Sequence, residues 1–162
     1  MFKNTIFRRM TALVLTLALA AAAALPGLAV YPMPIQTASE TEAVYLFNAD
    51  TGKTILNQNA DQQQYVASLT KLMTALLLLE SGKDLNGEVT VPTALTQEFR
   101  DIQNANGTTM GLRIGETVRR IDLLNAMLIV SANDAASVIA YDVGGSVLDF
   151  VKQMNARAQE LG

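Results

Sequence analysis

The chain has 162 residues, half of them apolar, with twelve Lys and Arg against fifteen Asp and Glu for a formal net charge of −3. It contains neither histidine nor cysteine, which excludes Ser-His-Asp and Cys-His nucleophile systems, HExxH zinc sites, zinc ribbons, iron–sulfur clusters and a disulfide framework. It also lacks tryptophan and any basic run, so neither a phosphate-neutralising stripe nor a stacking platform for nucleic acid is present.

Lys3, Arg8 and Arg9 precede an apolar stretch from Met10 to Leu25 that breaks at Pro26-Gly27. This layout predicts a cleaved secretory signal peptide over residues 1–29, and hence export. A retained anchor is the alternative, but spanning a bilayer takes about 20 strongly apolar residues. The small-residue boxes Gly27-Leu28-Ala29 and Gln36-Thr37-Ala38 place the mature start near Val30 or Ser39. Residues 30–42, with two prolines and no periodicity, read as a flexible lead-in.

Ala43–Phe47 and Lys53–Leu56, joined through Asn48-Ala-Asp-Thr-Gly52, form a hairpin pattern. Gly52-Lys53-Thr54 is not a phosphate-binding loop, because Phe47 stands where that loop needs its first glycine. Ser68–Glu80 is strongly helical, stopped by Ser81-Gly82. Its apolar residues lie on nearly every face, which predicts a helix buried in the core. Glu88–Val91 reads as a short strand before Pro92, and residues 100–119 as mostly loop. Further helices follow at Ile121–Val130 and Ala135–Val143, the latter ended by Gly144-Gly145. Ser146-Val-Leu-Asp149 looks like a capping box opening a last helix through Leu161. The fold class is α+β, dominated by helices.

Without histidine, a serine nucleophile needs another base, and a lysine serves if desolvation strips its proton near neutral pH. Lys71 is the only charged residue between Gln62 and Leu79, and Ser68 lies one helical turn before it. At the helix start, the Ser68 N–H also lies at the positive end of the helix dipole, where it could support an oxyanion. The same residues fit a plainer reading, in which Ser68 caps the helix and Lys71 extends to solvent. Ser131-Ala132-Asn133-Asp134, between two apolar helices, is likewise either a capping turn or a polar site.

Taken together, Asn59-Ala-Asp61, Ala67-Ser-Leu-Thr-Lys-Leu-Met-Thr74, Gly115-Glu116, Asp122-Leu-Leu124, Ser131-Ala-Asn-Asp-Ala-Ala136, Gly144-Gly-Ser146 and Phe150-Val-Lys-Gln-Met-Asn155 with Ala158 and Leu161-Gly162 resemble one family. It is that of the serine-type D-Ala-D-Ala carboxypeptidases, low-molecular-mass penicillin-binding proteins related to the class A β-lactamases. The resemblance implies an antiparallel sheet flanked by helices plus a helical subdomain. It makes Ser68 the acyl-ester nucleophile, Lys71 its proton acceptor, Ser131 the second-motif hydroxyl and Asn133 the orienting amide. No metal and no cofactor are implied. The substrate would be a peptidoglycan stem peptide ending in D-Ala-D-Ala, with β-lactams as covalent inhibitors, in the periplasm or at the outer face of the cytoplasmic membrane or cell wall.

Two departures qualify the match. Ala132 occupies a position where family members often have glycine, and no Lys-Thr-Gly triplet occurs anywhere. Residues 43–162 are therefore expected to be a partial catalytic domain, truncated before its C-terminal strands and inactive alone. Membrane association is expected only through sequence beyond residue 162. The rival readings are a β-lactamase, and a non-catalytic wall-binding protein with a decayed third motif.

Overall fold

The computed structural model describes residues 41–162, so the expected signal peptide and nearly all of the lead-in lie outside the described residues. The chain divides into two compact units, one ending at Gln62 and one running from Gln63 to Gly162.

In the first unit, β1 (Val44–Asn48) pairs antiparallel with β2 (Lys53–Gln58), as the sequence pattern predicts, with the second strand two residues longer than expected. The register shifts between Leu46 and Phe47, the mark of a bulge. Asn48 closes the turn by accepting from Gly52 N–H at 3.0 Å on its carbonyl and from Thr51 N–H at 2.9 Å on its side chain. Gly52 takes φ +67°, where a Cβ would be strained.

The second unit is built around helices α1 (Thr70–Glu80), α2 (Thr96–Asn104), α3 (Arg120–Ile129), α4 (Asn133–Gly144) and α5 (Val147–Leu161). Strands β3 (Glu88–Thr90) and β4 (Thr117–Arg119) form a second antiparallel pair, with Val89 opposite Val118. Helix α4 is the centre: it packs on α1, α2, α3 and α5 and buries Ala135, Val138, Ile139 and Ala140. Leu78, Val91, Leu95, Leu123, Met127 and Phe150 are among the other buried core side chains. Two antiparallel pairs with five helices make the described chain α+β, as expected.

Two elements differ from the sequence reading. Helix α2 and strand β4 occupy part of the stretch expected as loop. Helix α2 is polar apart from Phe99 and Ile102, which are three residues apart and form a narrow half-buried stripe. Helix α1 is not enclosed. Only Thr74, Ala75 and Leu78 are buried, while Leu72 and Leu79 are 61% and 56% exposed. An all-round apolar composition marks a helix fit for burial, but burial requires neighbours on each face, and here one stripe is covered.

The junction of α4 and α5 is close-packed. Gly145 turns the chain at φ +77° and donates its N–H to Tyr141 O at 2.8 Å. A Cβ on Gly144 would fall 2.6 Å from Phe150 Cβ, so only glycine allows this approach. Ser146 Oγ accepts from Asp149 N–H at 3.0 Å, as the capping pattern predicts, and donates to Asp149 Oδ2 at 2.9 Å. Arg120 at the start of α3 grips Asp142 of α4 through two bonds of 2.7 and 3.0 Å.

Candidate active site

Ser68 lies in a short 3-10 turn, Ala67–Leu69, that runs straight into α1, so Lys71 follows on the next turn. The turn is entered through Ala67 at φ +46°, a left-handed conformation that is rare for a residue with a side chain. The Ser68 N–H donates to no partner among the described residues. Ser131 lies in the three-residue gap between α3 and α4, itself left-handed at φ +60°. Each such residue costs on the order of 1–3 kcal/mol and persists only where its surroundings impose it. Here Ala132 N–H donates back to Ala126 O at 3.2 Å and Asn133 N–H donates to Thr108 O at 2.8 Å, which fixes the turn from both sides.

These two turns meet. Ser68 Oγ lies 2.8 Å from Ser131 Oγ. Lys71 Nζ lies 2.9 Å from Ser131 Oγ, 2.9 Å from Ser131 O and 2.7 Å from Asn133 Oδ1. All four residues singled out in the sequence are therefore together. Their order is not the expected one, because Ser68 makes no direct bond to Lys71 and the Ser131 hydroxyl stands between them.

Hydrogen counting gives that order its meaning. Two of the lysine's three partners are carbonyl oxygens, which only accept. A neutral amine has two N–H groups and one lone pair. With both N–H groups on the carbonyls, the lone pair faces the Ser131 hydroxyl, which donates to it and accepts from Ser68. Protonated, the same nitrogen donates to Ser131 Oγ, and Ser131 donates to Ser68. The two states differ by one proton moved along an unbroken chain. Burial of Lys71 pushes its pKa below the ordinary 10.5, towards the state that can accept.

The sequence reading treated Asp134 only as a candidate cap. Its carboxylate is buried and receives N–H groups from Met110 (3.0 Å), Gly111 (3.0 Å) and Leu112 (2.9 Å), besides that of Ala135 (2.9 Å). It therefore ties the 110–112 loop to the residue beside Asn133. Backbone donors leave no signature in side-chain patterns, so the loop could not be matched to its acceptor beforehand. Among the described residues no group of His, Cys, Asp and Glu is arranged to hold a metal ion.

A family model described as D-alanyl-D-alanine carboxypeptidase matches residues 32–162. The chain belongs to that family. It is 33% identical over 130 residues to D-alanyl-D-alanine carboxypeptidase DacF of Bacillus subtilis, covering 78% of this chain and 32% of the relative. It is 35% identical over 130 residues to a D-alanyl-D-alanine endopeptidase of Pseudomonas aeruginosa, covering 80% and 40% respectively. In structure it resembles the Streptomyces K15 DD-transpeptidase with a TM-score of 0.65 at 30% identity, over 73% of this chain and 47% of that one. The chain thus spans less than half the length of these relatives.

Proposed function

We propose that the protein carrying this chain is an exported serine-type D-Ala-D-Ala carboxypeptidase acting on peptidoglycan stem peptides. The unbroken path from Ser68 Oγ through Ser131 Oγ to Lys71 Nζ carries this reading. Ser68 Oγ attacks the carbonyl of the penultimate D-Ala, while its proton passes to Ser131 and the Ser131 proton passes to Lys71. The Ser68 N–H, at the helix start, faces the developing oxyanion. As the tetrahedral intermediate collapses, the lysine's proton returns through Ser131 to the leaving amine and D-Ala departs. Water then attacks the Ser68 ester, losing its proton along the same path, and the acid is released. Asn133 keeps Lys71 aimed throughout.

A β-lactam enters the same scheme but leaves its acyl group on Ser68. Recognition of the substrate carboxylate and a second oxyanion donor belong, by the resemblance, to a Lys-Thr-Gly strand that these residues do not contain. Residues 30–162 expressed alone are accordingly expected to release no D-Ala. Cleavage of a cross-linking D-alanyl amide is the second reading, favoured by the endopeptidase relative at 35% identity. It uses the same acyl-enzyme with a different leaving amine.

The test is labelling of the full-length protein by a fluorescent penicillin, together with release of D-Ala from a D-Ala-D-Ala peptide. Wild type should do both and Ser68→Ala neither. Labelling that survives in the Ser68 variant would remove that residue from its role. Release from a cross-linked dimer in preference to a linear peptide would select the endopeptidase reading.

A further inference from the structure

Helix α2 ends in a turn that the acyl-transfer scheme leaves without a role. Asn106 takes φ +52° and donates its N–H to Gln103 O at 3.0 Å, and Gly107 N–H donates to Ile102 O at 2.8 Å. These two returning bonds are the Schellman form of helix ending, with asparagine at the left-handed position. The turn lays Gly107 against the Asn133 side chain. A Cβ on Gly107 would fall 3.0 Å from Asn133 Nδ2, 3.0 Å from Ile102 Cγ2 and 3.1 Å from Ile102 O, all tighter than ordinary contact. Gly107 is not among the residues of positive φ, so this position requires space and not conformational freedom.

The residues that follow hold the same place. Thr108 O accepts from Asn133 N–H at 2.8 Å, and Met110, Gly111 and Leu112 give their N–H groups to Asp134. Packing does not account for this hold. Residues 108–111 are exposed, and Gly107, Thr109, Gly111 and Leu112 border a cavity of about 480 Å³. Asp134 is buried with no cationic partner among the described residues. Burying a carboxylate is costly unless its oxygens are hydrogen-bonded. The N–H groups that meet this need are also the ones that fix the loop. Asn133 is thus held by the loop at its backbone, at its side-chain nitrogen and through the next residue, while its Oδ1 lies 2.7 Å from Lys71 Nζ.

We propose that Gly107 and Asp134 are positioning residues for acyl transfer, which act through the 107–112 loop to set the Asn133 amide and so the aim of Lys71. Gly107 leaves room for Nδ2, which lets Oδ1 face the amine. Asp134 anchors the loop that presents Gly107. Neither residue touches the reacting atoms. A Cβ at position 107 displaces the amide by a few tenths of an ångström and loosens its bond to Lys71. Asparagine at position 134 cannot replace the carboxylate: Oδ1 accepts from Met110 and Ala135, and Oδ2 from Gly111 and Leu112. Whichever way an amide turns there, two N–H groups face a donor. The inference rests on the acyl-transfer reading above.

The experiment is a double-mutant cycle on the full-length protein, read as the rate of acylation by a fluorescent penicillin and its pH profile. Misplacing a catalytic group by about 1 Å costs about a hundredfold in rate, so Gly107→Ala should slow acylation by about tenfold. An acceptor oxygen favours the charged amine, so loosening it should also lower the pH midpoint of acylation. In an Asn133→Ala background, which keeps the Ser131 relay and is followed over longer times, Gly107→Ala should change the rate by less than about twofold. Asp134→Asn should slow acylation in the same way, and Gly107→Ala carries the test if that variant fails to fold. An equal loss in both backgrounds, no loss in either, or a loss with the midpoint unmoved overturns the proposal while leaving the acyl-transfer reading intact. Absence of labelling in wild type overturns the two together.

Discussion

Ser131→Ala separates chemistry from architecture at this site. The substitution deletes one hydroxyl and with it both links between Ser68 and Lys71, at 2.8 and 2.9 Å. The lysine stays in place, because its other two partners are the Ser131 backbone carbonyl and Asn133 Oδ1, and both survive. Alanine meets the same left-handed backbone as serine, so no new strain is added. The stability cost is limited to the lost hydroxyl bonds, about 1–2 kcal/mol. The kinetic cost is larger. General-base assistance contributes about 10²–10⁴ in rate, equivalent to roughly 3–5 kcal/mol of barrier. The acylation rate with a fluorescent penicillin, measured on full-length protein beside a thermal melt, should fall by at least about a hundredfold, with the melt shifted by only a few degrees. An acylation rate within tenfold of wild type, with the fold intact, would refute the relay, since Lys71 would then be reaching Ser68 without it.

The remaining predictions concern pH and stability. Because burial lowers the Lys71 pKa, acylation should rise with pH to a plateau whose midpoint lies below 10.5, since below that midpoint the amine is protonated and cannot accept; a midpoint at or above 10.5 would contradict this environment. Burial alone would raise the Asp142 pKa, but the Arg120 hydrogen bonds and the charges of Arg120 and Lys83 outweigh it and hold the carboxyl below 3.8. A carboxylate depressed in the folded state contributes stability that is present above the unfolded pKa and lost as pH falls through the folded one. Asp142→Asn should therefore lower the melting temperature at pH 6 but have little effect near pH 2. At neutral pH it should cost about 3 kcal/mol, near the lower end for breaking a buried pair. Leu123→Ala, at a side chain with 0% exposure, should cost about 2–5 kcal/mol by chemical denaturation.

The site was legible where local geometry determines it. Ser68 and Lys71 are one turn apart on a continuous helical path, so their proximity follows from the spacing. Ser131 and Asn133 are two residues apart in a turn between helices, and their pairing with Lys71 spans some 60 residues of sequence. Only the family resemblance bridged that gap, and it did not show that Ser131 would stand between nucleophile and base. Helix α2 is only nine residues long and carries two apolar residues, Phe99 and Ile102, a pattern too brief to tell a helix from a polar loop. Strand β4, three residues long, exists only by virtue of its pairing with β3. The exposure of α1 is not legible in its composition, which describes what a helix could bury, whereas coverage depends on the elements packed beside it.

The carboxylate of Asp134 offers an optical bench for the site that needs no substrate. Amide protons bound to a charged oxygen resonate downfield, and those of Met110, Gly111 and Leu112 share this one acceptor. The preceding residue, Asn133, is the one that aims Lys71, so a shift of the turn alters all three resonances at once. Amide spectra can therefore follow acylation, inhibitor occupancy or a distant substitution as a change in those signals. Their hydrogen-exchange rates would tell a local loosening of the turn from unfolding of the whole unit.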